Sequence, residues 1–89
     1  MRAADLPAVT ALADAVHAHH PERPEVLAER LALAPDGCFA LGEPLTGYIL
    51  SHPWRLDGPP PLDSLLGRLP ARPASWHLHD IVVAPARRA

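Results

Sequence analysis

Lysine is absent from this chain of 89 residues, and all eight of its basic side chains are arginine. Arginine, alanine and proline are correspondingly abundant, a pattern we read as the coding bias of GC-rich DNA and not as a mark of function. A single cysteine, Cys38, excludes an internal disulfide. No run approaches the roughly 20 apolar residues that cross a bilayer, so no membrane-spanning helix is expected. The N-terminus lacks a basic segment followed by an apolar stretch, and a cytoplasmic, reducing location is the default expectation. Neither sign of charge dominates: the formal net charge is -2, which provides no field to draw the chain onto nucleic acid or an anionic membrane. No internal repeat is visible.

What remains is the composition of a globular chain, 48% hydrophobic and 20% charged. Its length allows one domain, with only about 60–70% of the unfolded surface buried on folding and hence a thin stability margin. Asp5 is placed to cap a helix that tolerates Pro7 in its first turn, with Leu6, Val9, Leu12 and Val16 on one face, and this helix is expected from about Leu6 to Ala18. The segment from His19 to Pro24 breaks it. A second helix, from about Pro24 to Leu33, is expected to turn Val26, Leu27 and Leu31 inward and Glu25, Glu29 and Arg30 toward solvent. Pro35-Asp36-Gly37 ends it with turn chemistry.

Two strands follow, Cys38 to Leu41 and Leu45 to His52, joined by a tight turn at Gly42-Glu43-Pro44. From Pro53 to Pro73 runs a proline-rich connection whose piece Leu62 to Leu69 has the composition for one or two helical turns. Connections of this length are often functional. Trp76 to Val83 is a third strand of buried type. The expected fold class is α/β: two N-terminal helices packed on an antiparallel three-stranded sheet.

Three pieces of the chain carry a family resemblance. Arg2-Ala3-Ala4-Asp5-Leu6-Pro7-Ala8-Val9 looks like the start that GNAT-superfamily N-acetyltransferase domains have between their first strand and first helix. Gly47-Tyr48-Ile49-Leu50-Ser51 resembles the family's third strand. Leu78-His79-Asp80-Ile81-Val82-Val83-Ala84-Pro85-Ala86-Arg87-Arg88-Ala89 is similar to its fourth strand and the entry to its cofactor loop, where the pattern is L-x-D-I-x-V-x-P-x-x-R-G-x-G. Arg88-Ala89 stands where Arg-Gly is usual. The pieces keep the family's order across nearly the whole chain. The resemblance implies a GNAT-like (acyl-CoA N-acyltransferase) fold, with residues 1–89 forming the N-terminal portion of a single domain that ends at the start of the acetyl-CoA pyrophosphate loop.

The implied reaction is transfer of an acetyl group from acetyl-CoA, as co-substrate, to a primary amine of a small molecule or protein. Such a site must hold the thioester carbonyl, take a proton from the amine and protonate the leaving thiolate. By resemblance, the backbone of Ile81, Val82 and Val83 bonds the pantetheine arm as an added strand would. Arg87, Arg88 and Ala89 begin the pyrophosphate cradle. The expected general base is His79 or Asp80, adjacent on one strand and therefore on opposite faces. The general acid, a Tyr in the family, is expected beyond Ala89. Trp54, at the mouth of the long connection, is the candidate for substrate binding.

Other residues read more simply. His77 and His79, with Cys38 or His52 as a third ligand, lack any spacing specific to a metal, and no metal is expected. His17, His19 and His20 read as a solvated helix end. Tyr48 and Phe39 are expected to face the core, and Cys38 to be a small buried hydrophobe. The competing reading of the whole chain is a non-catalytic α/β interaction or regulatory module that dimerises through its exposed sheet edge. In the enzyme reading the partner is a complementing second half.

Overall fold

Val9 and Ala13, one helical turn apart, are the buried stripe of the first helix, α1 (Leu6–Val16), with Leu6, Leu12 and Val16 packed beside them. The computed structural model, which describes residues 1–88, begins with a 3-10 turn at Ala3–Asp5. Asp5 does not cap α1 with its side chain; its carboxylate accepts the Arg2 backbone N–H at 2.7 Å. Helix α1 also ends before the expected Ala18, because His17 leaves helical backbone (φ -106°, ψ 44°) and turns its ring toward the sheet.

The second helix, α2 (Pro24–Leu33), has the expected bounds, with Pro24 at its first position, where a missing N–H costs nothing. Val26, Leu27 and Leu31 face inward as expected. Arg30 was expected in solvent and is instead fully buried, at 0% exposure. The i+3 and i+4 relations to Leu27 and Val26 put it on the inner stripe, and its Nη1 donates to the Ser64 carbonyl at 3.1 Å.

The sheet has the order β1 (Cys38–Leu41), β2 (Gly47–Trp54), β3 (Ser75–Val83), antiparallel throughout. The fold is thus α/β, two helices on a three-stranded antiparallel sheet. The turn between β1 and β2 is longer than expected. Gly42, at φ 86°, starts it in a conformation that favours glycine, Glu43-Pro44 is a cis peptide, and the Thr46 N–H closes it on the Leu41 carbonyl at 2.8 Å. Strand β2 runs on through Pro53, which had been expected to open the loop. Pairing with β1 stops at Leu50, so on that side Pro53 is at a sheet edge and its missing N–H breaks no ladder.

The connection at 55–74 forms no helix. Positive φ at Asp63 (54°) and Gly67 (76°) interrupts the backbone of the Leu62 to Leu69 piece. Side chains around α2 hold it instead. Glu29 accepts the N–H groups of Leu66 and Gly67 at 2.6 and 3.0 Å, and Asp63 bonds the backbone and guanidinium of Arg23 at 2.8 and 3.1 Å.

The core lies between the helices and one sheet face: Val9, Ala13, Leu27, Leu31, Cys38, Tyr48, Leu50 and Val82. Tyr48 and Cys38 are inside, as expected, and burial pushes the Cys38 thiol up. Phe39, expected inside, is 55% exposed. It follows Cys38 by one residue, so the strand's alternation sends it to the opposite, uncovered face.

Candidate functional site

The centre of the candidate site is an irregularity in β3. Asp80 pairs with Leu50 and Leu78 with Ser51, so His79 is an extra residue, a β-bulge. A bulge adds a residue without a partner and resets the alternation of side chains. Its consequence overturns the expectation that His79 and Asp80 point to opposite faces: both reach the helix-covered side.

There His79 Nε2 lies 2.7 Å from Glu22 Oε1, with the histidine side chain only 2% exposed. Glu22 is fixed further by the Asp63 N–H, which donates to its other oxygen at 2.9 Å. Burial works to raise the Glu22 carboxyl, but the hydrogen bonds from His79 and Asp63 and the nearby positive charge hold it below its usual range. Asp80 takes the Tyr48 Oη–H at 2.7 Å, and His17 Nε2 lies 3.0 and 3.1 Å from its two oxygens. Burial, then the bond to Asp80 and its charge, push the Tyr48 phenol far above its ordinary value. Tyr48 is therefore a fixed donor. His17, expected to be solvated, is instead the bridge from the end of α1 to β3.

Behind this pair lies a cluster of imidazoles. The rings of His52 and His77 are 5.2 Å apart, those of His77 and His79 5.8 Å, and those of His52 and His79 6.5 Å. His52 Nδ1 donates to the Pro53 carbonyl at 2.9 Å, which leaves Nε2 as an acceptor with no partner among the described residues. Two nitrogens of buried Arg30, Nε and Nη2, likewise have no partner among the described residues. Burial, reinforced by neighbouring imidazoles and Arg30, holds both His52 and His77 below the ordinary imidazole value, so both are neutral at pH 7. No group of three or more His, Cys, Asp or Glu side chains among the described residues meets in a way that could hold a metal ion.

The residues implicated in cofactor binding occupy the end of β3. Ile81 faces the uncovered side of the sheet, Val82 is buried and Val83 half-buried. Strand β3 pairs with β2 along one edge, and among the described residues no strand covers the other. A 3-10 turn at Pro85–Arg87 follows, and the Arg88 Nε–H donates to the Val83 carbonyl at 3.0 Å, so its guanidinium lies back across the strand end. Ala89 lies outside the described residues.

Trp54 is not brought to these residues. It pairs with Ser75 at the far end of the β2–β3 ladder, whereas Val83 pairs with Gly47, a separation of roughly 25 Å at strand rise. It is also buried: its Nε1–H donates to the Gly58 carbonyl at 3.0 Å and Arg55 stacks over its ring at 4.7 Å. With Trp76, His77 and Pro59 it lines a shallow cavity of about 270 Å³.

Sequence reasoning missed Glu22 and His17 as partners of the β3 pair. Glu22 stands in a proline-bounded break with no periodicity to give it a direction. His17 was marked only by its place at a helix end. No family model matches the sequence, and neither a curated protein nor a solved structure matches it. No helix among the described residues is long and apolar enough to cross a membrane.

Proposed function

We propose that this chain carries the acetyl-CoA-binding edge and the general base of a GNAT-type N-acetyltransferase acting on a primary amine. The observation that carries the reading is the free edge of β3, which runs from the bulge at His79 directly into the turn bearing Arg87 and Arg88. An open strand edge offers unpaired N–H and C=O groups, which an amide-containing pantetheine arm matches as an added strand would. Ile81, Val82 and Val83 supply that edge, and the polarised acetyl carbonyl lies against it.

The Glu22–His79 pair supplies the base. With Nε2–H given to the carboxylate, Nδ1 holds the lone pair that takes a proton, and Glu22 stabilises the imidazolium that results. Asp80 has its oxygens engaged by Tyr48 and His17, so its part is to position the bulge. Arg88 leaves the Val83 carbonyl to face pyrophosphate, and Arg87 flanks it. The acceptor amine approaches from the His77 side of His79, where the two rings lie 5.8 Å apart.

The second reading, an interaction module that captures a strand on the same edge, is favoured by the same geometry and separated by one experiment. Calorimetry of the 89-residue chain with acetyl-CoA, with desulfo-CoA and Arg88→Ala as controls, is expected to give saturable binding that the substitution weakens and added salt reduces. A folded chain that binds neither acetyl-CoA nor desulfo-CoA overturns the proposal and leaves the module.

A further inference from the structure

The sheet has one face under the helices and one bare. Strand alternation, followed through the register on both sides of the bulge, puts Phe39, Leu41, Ile49, Trp76, Leu78 and Ile81 on the bare face. All of these but Ile49 are between 54 and 58% exposed. The other strand positions on that face are Gly47, Ser51, Pro53 and Val83, none of them charged; Glu43 and Arg87 beside Leu41 and Val83, and Asp36 beside Trp76, stand at its borders. Its one hydroxyl, that of Ser51, is already buried, donating to the Gly37 carbonyl.

We propose that two copies of this chain pair through this face, sheet against sheet, in a closed two-fold dimer. The area fits. Five large apolar side chains left more than half open present on the order of 500 Å² of contiguous apolar surface, at the upper end of what monomers expose. Doubled in a two-fold contact, it buries on the order of 1,000 Å², the size at which a specific interface begins. The chemistry fits as well. A two-fold interface sets a surface against itself, which a charged face resists through like-charge contacts and a neutral apolar face does not. The whole chain, at net charge -2, adds little repulsion. Sheets packed in this way lie about 10 Å apart, with strands aligned to within about 30°. The pairing uses the face and leaves the β3 edge free, so it differs from dimerisation by edge addition.

The test is sedimentation of the 89-residue chain over a wide concentration range, comparing the wild type with Phe39→Glu and Leu78→Glu. Both sites are open to solvent, so the substitutions leave the helix-side core intact, which circular dichroism checks. The wild type is expected to be a monomer–dimer system, and each glutamate to weaken the dimer by tenfold or more, because a carboxylate is then buried without a partner. A wild type that stays monomeric, one that forms open-ended aggregates, or a dimer equally tight in both variants overturns the proposal. If a variant fails to fold, acrylamide quenching of the wild type gives the answer. Trp76 lies on the proposed interface and Trp54 is buried, so quenching must fall as protein concentration rises. Concentration-independent quenching refutes the pairing.

Discussion

Removing the Tyr48 hydroxyl is the most direct test of the polar interior. Tyr48→Phe keeps a ring in the same buried slot and opens no cavity; what it removes is the O–H that donates to Asp80 at 2.7 Å. A hydrogen bond to a charged group contributes about 1.5–3 kcal/mol, and here the carboxylate keeps only His17, at 3.0 and 3.1 Å. The variant is therefore expected to unfold about 1.5–3 kcal/mol more easily in urea at neutral pH. For a chain of this size that corresponds to a fall in melting temperature on the order of 10 °C.

The same residue gives an independent readout, because it is the only tyrosine in the chain. Burial and Asp80 raise its phenol far above the ordinary 10.0, so in alkali the unfolded chain loses a proton that the folded chain keeps. The sign follows: a raised folded value gives stability that is complete below pH 10 and lost as pH rises above it. Phenolate absorbance in the wild type is expected to appear only together with loss of helical circular dichroism, not in the ordinary tyrosine range. In Tyr48→Phe the alkaline decline that remains belongs to Cys38, whose thiol is raised above 9.0 by burial. A variant within about 0.5 kcal/mol of the wild type, or a folded wild type whose phenol titrates normally, refutes the reasoning.

Acid should act in two stages. His52 and His77 titrate below their ordinary 6.5, so the stability they leave intact above that value declines as pH falls through it, and Glu22, held below 4.5, adds a second decline beneath that. Urea midpoints that stay flat between about pH 7 and 5 would contradict this. Glu29→Ala removes the acceptor for the Leu66 and Gly67 amides and is expected to cost about 1–3 kcal/mol and to raise hydrogen exchange in the 64–67 segment. Unchanged protection there would mean that the clamp on the long connection lies elsewhere.

How much of this was legible in the sequence depends on whether a signal was periodic or singular. Pro24, the break before it and Pro35-Asp36-Gly37 act on the backbone directly, and the bounds of α2 follow from them to the residue. The strands and their antiparallel order follow from short apolar runs bounded by turn residues. Arg30 carries two opposed signals, since its spacing puts it on the stripe of Val26 and Leu27 while its charge favours water, and in the fold spacing prevails. The bulge was not legible. One added residue in a strand leaves no mark in composition, yet it decides where every later side chain points. Phe39 failed for a related reason, since hydrophobicity predicts burial only where something covers the face.

The bulge also explains why the polar groups of β3 divide into two kinds. Without it, Leu78 and Asp80 would share one face and His77 and His79 the other, and no more than one of His79 and Asp80 would meet the helices. With it, two consecutive polar side chains enter a core whose thin margin does not tolerate unpaired charge. The fold meets that demand from two separate places, Glu22 between the helices and His17 at the end of α1. The results differ. Asp80 has partners for both oxygens, one of them a phenol that burial and Asp80 itself hold in its protonated form far above the ordinary range, which describes a group held still. His79 has one nitrogen tied to a carboxylate and the other free of any protein hydrogen bond among the described residues, which leaves that second nitrogen uncommitted. These grounds favour His79 over Asp80 as the base in the transfer we propose, with Asp80 fixing the bulge that turns His79 toward Glu22.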